Sequence, residues 1–384
     1  MIVQIRDICS AVYSGGTPNR KHLEYYEGGD IPWLNTSEVV FNRIYKTEKH
    51  ITQSGLKNSS AKWIPENSVI VAMYGATAGR TAIAKKPLTT NQACCNLIID
   101  PEKADYRYVY YYLYSKYQHL LSMANGGAQQ NLNAGQIKEY MINLPDLQTQ
   151  KKIADILDIL DSKIELNNTI NNNLLQQLHV LYLRLFGDSA MDTPLGDVVA
   201  TTSGGTPSRK HEEYYSDSSI CWVKSKELLG NYIHETEEHI NDLAIKKSSA
   251  KLLPEHSVLI AMYGATVGAY GVISKPMTCN QAVCVLLCNK NYPYTYLFQI
   301  AYESQQKFVN FAVGSAQQNI SQVLIKQLNL HSDLDIIQRF HDLALPMHQK
   351  IEFLQAENIR LSDLRDNLLP KLMSGEIDVS DIDL

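Results

Sequence analysis

Two segments decide how this chain is organised: SSAKWIPENSVIVAMYGATAG at residues 59–79 and SSAKLLPEHSVLIAMYGATVG at residues 248–268. They belong to a longer match, because residues 14–97 align with residues 203–286 at a constant offset of 189 without a gap. Roughly half of the aligned positions are identical. A period of this length is far too long for a solenoid repeat, so the match indicates a duplicated domain.

The duplication extends beyond these segments into two long helical stretches. The match resumes at GAQQNLN (127–133) and SAQQNIS (315–321), and KIE at 163–165 later matches KIE at 350–352. We predict an α+β fold with two pseudo-symmetric globular domains joined by two long antiparallel coiled-coil helices. The predicted parts are a first domain at residues 1–146, a central helix at 147–190, a second domain at 191–334, and a C-terminal helix with its tail at 335–384.

Each globular copy mixes short strands with helices. Apolar, β-branched runs predict strands at residues 67–72, 97–99, 257–261 and 283–287. A tyrosine-rich amphipathic helix is predicted at residues 106–121, and its tyrosines are more typical of a core than of a base-stacking platform. Asn133 with Gln136 fits a capping box that opens a short helix, and Ser321 is placed to cap its counterpart.

The two long helices carry heptad seams. No glycine or proline interrupts residues 148–186, a stretch that would form a helix on the order of 55 Å long. Apolar residues recur in alternating steps of four and three in both stretches, whereas Arg365 departs from the pattern and Pro346 predicts a kink or restart. Three asparagines occupy seam positions: Asn167, Asn171 and Asn358. They predict either cross-helix hydrogen bonds that fix the register of an antiparallel pair or a splayed section that faces solvent.

Composition and charge narrow the class of protein. The net charge is −5, but residues 1–145 carry +4, residues 146–194 carry −3, residues 195–332 are neutral, and residues 333–384 carry −6. The helices are therefore acidic and the globular copies neutral to basic. Neither a signal-peptide core nor a membrane-length apolar run is present. The seven cysteines show neither a disulfide framework nor a zinc spacing, which favours reduced, buried thiols in a cytosolic protein without a metal.

Motifs for catalysis are missing. The sequence contains no phosphate-binding loop for ATP, no dinucleotide-binding glycine motif, no HExxH, and no Asn/Asp-Pro-Pro-aromatic tetrapeptide of amino-methyltransferases. We therefore expect a binding or scaffolding protein without catalytic residues of its own.

The matched loops supply candidate DNA contacts. The SGGTP turns, in which paired glycines are expected to adopt positive φ, precede basic residues suited to a DNA phosphate. The motif MYGAT contributes tyrosines and, in the first copy, an arginine where the second has Ala269. Asn-Gln pairs are suited to adenine, although buried, satisfied amides explain them equally well. These candidates are Arg20, Lys21, Tyr74, Arg80, Asn91, Gln92, Arg209, Lys210, Tyr263, Asn280 and Gln281.

Differences between the copies locate candidate base readers. Asn35 and Ser37 follow Trp33 in the first copy, whereas Lys224 and Lys226 follow Trp222 in the second. Asparagine favours adenine and lysine favours guanine in the major groove. The sequence therefore predicts related half-sites, with a more guanine-directed contact in the second.

Taken in order, these motifs resemble the specificity subunits of type I restriction-modification systems. The resemblance covers nearly the whole chain through SGGTP, MYGAT, NQA, AQQN, LPDLQTQKKIADILD and LLPKLMSGEI (368–377). It implies two target-recognition domains that each bind half of a split site in double-stranded DNA, and an antiparallel helix pair that sets the gap. It also implies partners: two methyltransferase subunits and the restriction (motor) subunits, which would hold S-adenosylmethionine and ATP/Mg. The segment that joins the first domain to its helix, LPDLQTQKKIADIL, follows the family's pattern closely. The corresponding segment of the second copy, LHSDLDIIQRFHDL, departs from that pattern.

Three other functions remain open at this point. One is a protein-only scaffold with duplicated domains, another a self-sufficient methyltransferase, and the third the specificity subunit of a fused type II system.

Overall fold

A computed structural model describes residues 1–124, 131–313, 319–380 and residue 382, so the GAQQ and SAQQ residues at 127–130 and 315–318 lie outside it. The chain divides into two compact units. The first combines Met1–Lys163 with Leu361–Leu384, and the second comprises Ile164–Arg360. Within the described ranges, no helix has the length and hydropathy needed to cross a membrane.

The first unit contains a large antiparallel and parallel sheet beside a smaller one. The described strands of the large sheet follow the order Cys9–Ser14, Cys94–Ile99, Val69–Ala72, Thr81–Ala84 and Asn42–Ile44. Those of the smaller sheet are Lys49–Ile51, Ile31–Leu34, Leu88–Thr90 and Trp63–Ile64, and Ile2–Gln4 pairs with Met141–Asn143. The helices are Gln53–Lys57, Tyr106–Ser115, Tyr117–Ala124, Ala134–Lys138 and the start of the long helix Leu147–Phe186.

The second unit repeats this architecture. Its large sheet has the described order Ala200–Ser203, Val283–Leu287, Val258–Ala261, Tyr270–Ile273 and Asn231–Ile233. The smaller sheet consists of His239–Ile240, Ile220–Val223 and Thr278–Cys279, and Met191–Pro194 pairs with Asn329–His331. The described helices are Leu195–Val198, Asp242–Lys247, Tyr294–Val313, Gln322–Lys326 and most of Leu334–Ser374. The matching strand orders confirm the duplicated α+β domain.

The predicted tyrosine helix is shorter than expected but has the expected role. It ends at Ser115, and a separate helix starts at Tyr117, so a single helix over 106–121 is wrong. Tyr108, Tyr110 and Tyr111 are almost completely buried, which confirms that the stripe belongs to the core. The predicted caps at Asn133 and Ser321 are confirmed by their side-chain bonds to Gln136 N and Leu324 N.

Two long helices run antiparallel within each unit; we call Leu147–Phe186 the central helix and Leu334–Ser374 the C-terminal helix. The C-terminal helix continues through Pro346, so the predicted restart is wrong. A proline inside a helix removes one backbone hydrogen bond. The helical turn is retained here because the neighbouring residues Ala344 and His348 are fully buried on the packed face.

In the first unit, an ion pair occupies the gap in the heptad pattern. The Arg365 guanidinium lies 2.8 Å from an Asp161 carboxylate oxygen, and each side chain is less than 15% exposed. Tyr111 donates to the other Asp161 oxygen at 2.7 Å. Burial alone would lower the pKa of Arg365, but its hydrogen bonds to Asp366 and Asp161 raise it, so this arginine stays charged.

In the second unit, the seam asparagines differ in their bonding. Asn167 Nδ2 donates to Asn358 Oδ1 at 2.9 Å, and Asn358 Nδ2 donates to Asn168 Oδ1 at 2.8 Å. These bonds confirm the predicted pairing across the seam for Asn167 and Asn358. Asn171 is also buried, and its Oδ1, like that of Asn167, has no hydrogen-bond partner among the described residues; unlike Asn167, it makes no bond across the seam within those residues.

This difference predicts effects of opposite sign on stability. Asn171→Leu should raise the free energy of unfolding by about 1–2 kcal/mol, because it removes a buried oxygen that lacks a partner. Asn358→Ala should lower that free energy by about 1 kcal/mol, because Asn167 Nδ2 loses one of its two acceptors and keeps only the Glu357 carboxylate. Urea denaturation of both variants measures the effects, and Asn172→Leu at an exposed neighbouring position is the control. A loss of stability in Asn171→Leu would contradict the prediction.

Buried histidines make the second unit sensitive to acid. His348 is fully buried, accepts or donates one bond at 2.7 Å with the Tyr232 hydroxyl, and burial lowers its pKa to about 3. Burial also lowers the pKa of His331 and His341. The unfolded chain protonates each of these histidines near pH 6.5, whereas the folded unit does so only at lower pH, so stability should fall as pH drops below about 6.5. His348 contributes a slope of about 1.4 kcal/mol per pH unit down to about pH 3, and His331 and His341 add to the slope just below pH 6.5. Denaturation from pH 7.5 to 5 measures the slope, and His348→Leu should reduce it.

Candidate nucleic-acid interface

Four loops carry the predicted DNA contacts in each unit. We call them the SGGTP loop (14–18 and 203–207), the Trp turn (35–38 and 224–227), the MYGAT turn (73–77 and 262–266) and the NQA loop (91–93 and 280–282). Each of them begins at or near the end of a sheet strand. This placement leaves their tips exposed while their bases remain tied to a rigid sheet.

In the first unit, hydrogen bonds join the four loops into one surface. Trp33 Nε1 donates to Gly16 O at 2.9 Å, and Thr17 bonds to Gln92, so the SGGTP loop meets both the strand before the Trp turn and the NQA loop. The Thr77 hydroxyl of the MYGAT turn donates to Thr36 O of the Trp turn at 2.8 Å. These bonds bring the four loops together, whereas none of them involves the predicted contacts Arg20, Lys21 and Arg80.

The second unit retains most of this framework. Trp222 Nε1 donates to Gly205 O at 3.0 Å, and Thr206 bonds to Gln281. Asn280 N donates to Val223 O at 2.9 Å, the same bond that Asn91 N makes with Leu34 O. Thr266 differs from its counterpart because its hydroxyl bonds to Tyr263 O within the same turn.

The SGGTP glycines are required for a reason other than the predicted one. None of the four has a positive φ, so the expectation of positive-φ turns is wrong. A Cβ on Gly15 would lie 2.1 Å from Thr90 O, and one on Gly204 would lie 2.1 Å from Cys279 O. Close approach of the neighbouring backbone therefore excludes any side chain at these positions.

Positive φ occurs instead in the MYGAT motif. Gly75 and Gly264 have φ of 76° and 69°, in a region that L-residues with a Cβ rarely adopt. Tyr74 and Tyr263 immediately precede these glycines and are exposed. Arg80 is half-buried, and its Nε has no hydrogen-bond partner among the described residues.

The basic residues after the SGGTP loop differ between the units. Arg20 and Lys21 are exposed, and neither takes part in an ion pair within the described ranges. Arg209 is also exposed, but it pairs with Glu238 and lies over the rings of Tyr215 and Trp222, 4.4 Å and 5.5 Å from their centroids. Lys210 is exposed. Arg20 of the first unit therefore has no ion pair within the described ranges, whereas Arg209 of the second unit is held by Glu238 and two aromatic rings.

The candidate guanine readers of the second unit are held by acidic neighbours. Lys224 pairs with Glu238, which it shares with Arg209, and Lys226 Nζ lies 2.5 Å from Glu237. The bond from Lys224, followed by that from Arg209, lowers the pKa of Glu238. The bond to Glu237 raises the pKa of Lys226. A base contact by either lysine therefore requires exchange of these partners.

Sequence reasoning missed the acidic half of this arrangement. Glu238 aligns with Lys49 of the first unit, so the pair Asn35/Lys49 becomes Lys224/Glu238 in the second. Lys49 is exposed. A search for charge exchanges between the two copies would have found the position.

A shared glutamate was missed as well. Glu38 accepts from Asn35 N at 3.0 Å and from Glu48 N at 2.9 Å. Its counterpart accepts from Lys224 N at 2.7 Å and from Glu237 N at 2.9 Å, and this counterpart is Glu227. This glutamate joins the Trp turn to the next loop in both units; the signal was its capping-box spacing of three.

The Asn-Gln pairs divide into a structural and an exposed member. Asn91 Oδ1 accepts from Ala93 N at 3.0 Å, and Asn280 Oδ1 accepts from Ala282 N at 3.1 Å. Both asparagines are half-buried, whereas Gln92 and Gln281 are exposed. Asn35 and Ser37 are half-buried and exposed, respectively, and Asn91 Nδ2 lies 3.5 Å from Asn35 Oδ1. Whether these side chains contact bases stays a prediction.

Comparison with known proteins agrees with this architecture. A family model described as "Type I restriction modification DNA specificity domain" matches residues 1–176 and 190–331. The type I restriction enzyme MjaIX specificity subunit of Methanocaldococcus jannaschii is 28% identical over 99% of this chain and 94% of its own length. The HindI specificity subunit of Haemophilus influenzae is 21% identical over 95% of this chain and 99% of its own length.

A solved structure shares the fold. The crystal structure of a type I restriction-modification S subunit from M. genitalium is 17% identical, covers 97% of this chain and 95% of its own, and superposes with a TM-score of 0.61. The family model covers most of the chain in two consecutive matches, one for each copy of the repeat. The chain therefore belongs to the family of type I restriction-modification DNA specificity domains and carries that domain twice.

Proposed function

We propose that this chain is the sequence-specific DNA-binding subunit of a type I restriction-modification complex, and that each unit binds one half of a bipartite site. The main support for the proposal is the four-loop surface. Both units form it with the same backbone hydrogen bonds, but the charges of the side chains at the loop tips differ between the units. A common framework with variable tips is suited to reading two related but different sequences.

We further propose that the chain is not itself an enzyme. The absence of cofactor motifs from its sequence supports assigning S-adenosylmethionine to methyltransferase subunits and ATP with Mg²⁺ to restriction subunits. Two methyltransferase copies would follow from the duplication. The acidic helices, with −3 and −6 on residues 146–194 and 333–384, favour protein partners over DNA phosphates.

Mapping of methylated adenines tests the proposal. The full chain is expressed with its methyltransferase subunit in a host without methylation, and the genome is compared with and without the chain. A bipartite motif that depends on the chain supports the proposal. No motif, together with DNA binding that does not weaken as salt rises, would favour a protein scaffold, because phosphate contacts release counterions. Binding of S-adenosylmethionine by the purified chain alone would favour a self-sufficient methyltransferase.

A further inference from the structure

Three side chains that suit a metal ion meet at the edge of the smaller sheet in the second unit. Cys221 and His239 are directly opposite each other in the antiparallel pair formed by Ile220–Val223 and His239–Ile240. Opposed residues in such a pair point to the same face. Glu235, in the segment before the second strand, places a carboxylate oxygen 2.9 Å from Cys221 Sγ and 2.6 Å from His239 Nε2.

The donor set matches the preferences of zinc. Thiolate, imidazole and carboxylate are the ligands that Zn²⁺ takes in proteins, and three protein ligands with an open fourth position are a common arrangement. The three donor atoms all lie within 4.8 Å of one another. A tetrahedral ion with bonds of about 2.0–2.3 Å holds its ligands about 3.5 Å apart, so only a slight opening of the cluster would be needed.

The first unit offers an internal comparison. Its equivalent strands pair in the same way, with Pro32 opposite His50. The positions of Cys221 and Glu235 are occupied there by Pro32 and Lys46, so two of the three donors are missing. The cluster is therefore a property of the second unit and not a requirement of the shared fold.

We propose that Cys221, Glu235 and His239 bind a divalent cation of intermediate softness, such as Zn²⁺, with water in the fourth position. Binding releases the thiol proton of Cys221 to solvent and leaves the imidazole proton of His239 on Nδ1, so that Nε2 is free to bind the ion. Metal–ligand bonds then replace the two hydrogen bonds to Glu235. The spacing of these residues in the sequence did not reveal the site, because strand pairing brings the ligands together.

One neighbour competes with the cation. Lys275 Nζ lies 3.1 Å from the second Glu235 oxygen, and the lysine side chain is 47% exposed. Its ammonium group must turn towards solvent, or remain on that oxygen at an electrostatic cost, when the ion enters. Removal of this charge should therefore strengthen binding, an effect that a purely hydrogen-bonded cluster would not produce.

The site would also stabilise the loop beside the candidate base readers. Glu237 and Glu238 lie between the ligands Glu235 and His239, and they pair with Lys226 and Lys224. A bound ion fixes both ends of this short segment. The cation would thus act by ordering this loop.

Metal titration of the tag-free, full-length chain tests the inference. After treatment with a chelator, Co²⁺ should bind with one equivalent per chain and give a thiolate-to-cobalt charge-transfer band, which Zn²⁺ abolishes by displacement. Cys221→Ser should remove the band, and His239→Gln should weaken Co²⁺ binding about tenfold or more. Lys275→Met should tighten binding severalfold.

The control is Cys9→Ser, which removes a half-buried thiol from the first unit and should leave the titration unchanged. Circular dichroism verifies that each variant is folded. A wild-type chain that binds no Co²⁺ at micromolar concentration would overturn the inference. An unchanged band in Cys221→Ser or weaker binding in Lys275→Met would overturn it as well.

Discussion

A second unit that carries Lys224→Asn, Lys226→Ser and Glu238→Lys should direct methylation to a changed second half-site while the first half-site stays the same. These three substitutions install the residues that the first unit has at the same positions. A good contact between a side chain and a base contributes about 1–3 kcal/mol of discrimination. Methylation at the original sites should therefore fall by about 10- to 100-fold.

The ion pairs explain why Glu238 must change together with the lysines. In a variant with Lys224→Asn and Lys226→Ser alone, Glu237 and Glu238 lose their lysine partners, and only Arg209 still pairs with Glu238, so the proposed DNA surface gains negative charge. That variant should bind every DNA sequence more weakly through charge repulsion. Adding Glu238→Lys should restore general affinity, and only the sequence preference should remain altered.

Methylome mapping with the methyltransferase partner measures the half-sites, and binding at two salt concentrations measures general affinity. Lys246→Asn with Lys247→Ser is the charge-matched control for the double variant, since these lysines are exposed on a helix outside the four loops. An unaltered second half-site in the triple variant would show that its bases are read elsewhere.

Arg365→Ala should be among the most destabilising single substitutions in the chain. It leaves the Asp161 carboxylate, which is only 13% exposed, without this cation. Loss of one partner from a fully buried ion pair costs about 3–5 kcal/mol, and we expect the lower end of that range for this partly buried pair. Tyr111 would still donate to Asp161, but a neutral hydroxyl does not balance the charge. Urea denaturation should show a correspondingly lower midpoint.

An apolar replacement of the whole cluster separates charge from packing. The triple variant Arg365→Met, Asp161→Leu and Tyr111→Phe should recover most of the lost stability, because no buried charge or hydroxyl remains unpaired. Arg339→Ala, at an exposed position of the same helix, should change the free energy of unfolding by less than about 0.5 kcal/mol. An Arg365→Ala variant as stable as this control would refute the assigned role.

The internal match at an offset of 189 residues made the duplicated domain predictable, and local periodicity made the helix seam predictable. The heptad steps placed Leu157, Leu178 and Asn167 on the packed face, and all three are buried. Such patterns depend only on neighbours within a few turns, so one sequence suffices to detect them.

Features that depend on distant partners were not predictable. Arg365 departed from the heptad pattern without an apparent reason, because its ion-pair partner Asp161 lies on the other helix. The SGGTP glycines were assigned to positive φ, whereas the backbone of Thr90 is what excludes a side chain at Gly15. The loops that the sequence singled out meet through hydrogen bonds, and their contact with DNA stays a prediction. The acidic partners of Lys224 and Lys226 were not predicted.

The discontinuous first unit has a consequence for biosynthesis. Its core is completed by residues near the end of the chain, including Leu369, Leu372 and Val379. A ribosome must therefore add about 200 further residues after Lys163, which takes roughly 10–40 s, before the first unit can close. The domain that is made first is thus the last to finish, and its core stays incomplete in the meantime. A premature stop just before Leu361 would spare the second unit and disable the one already synthesised.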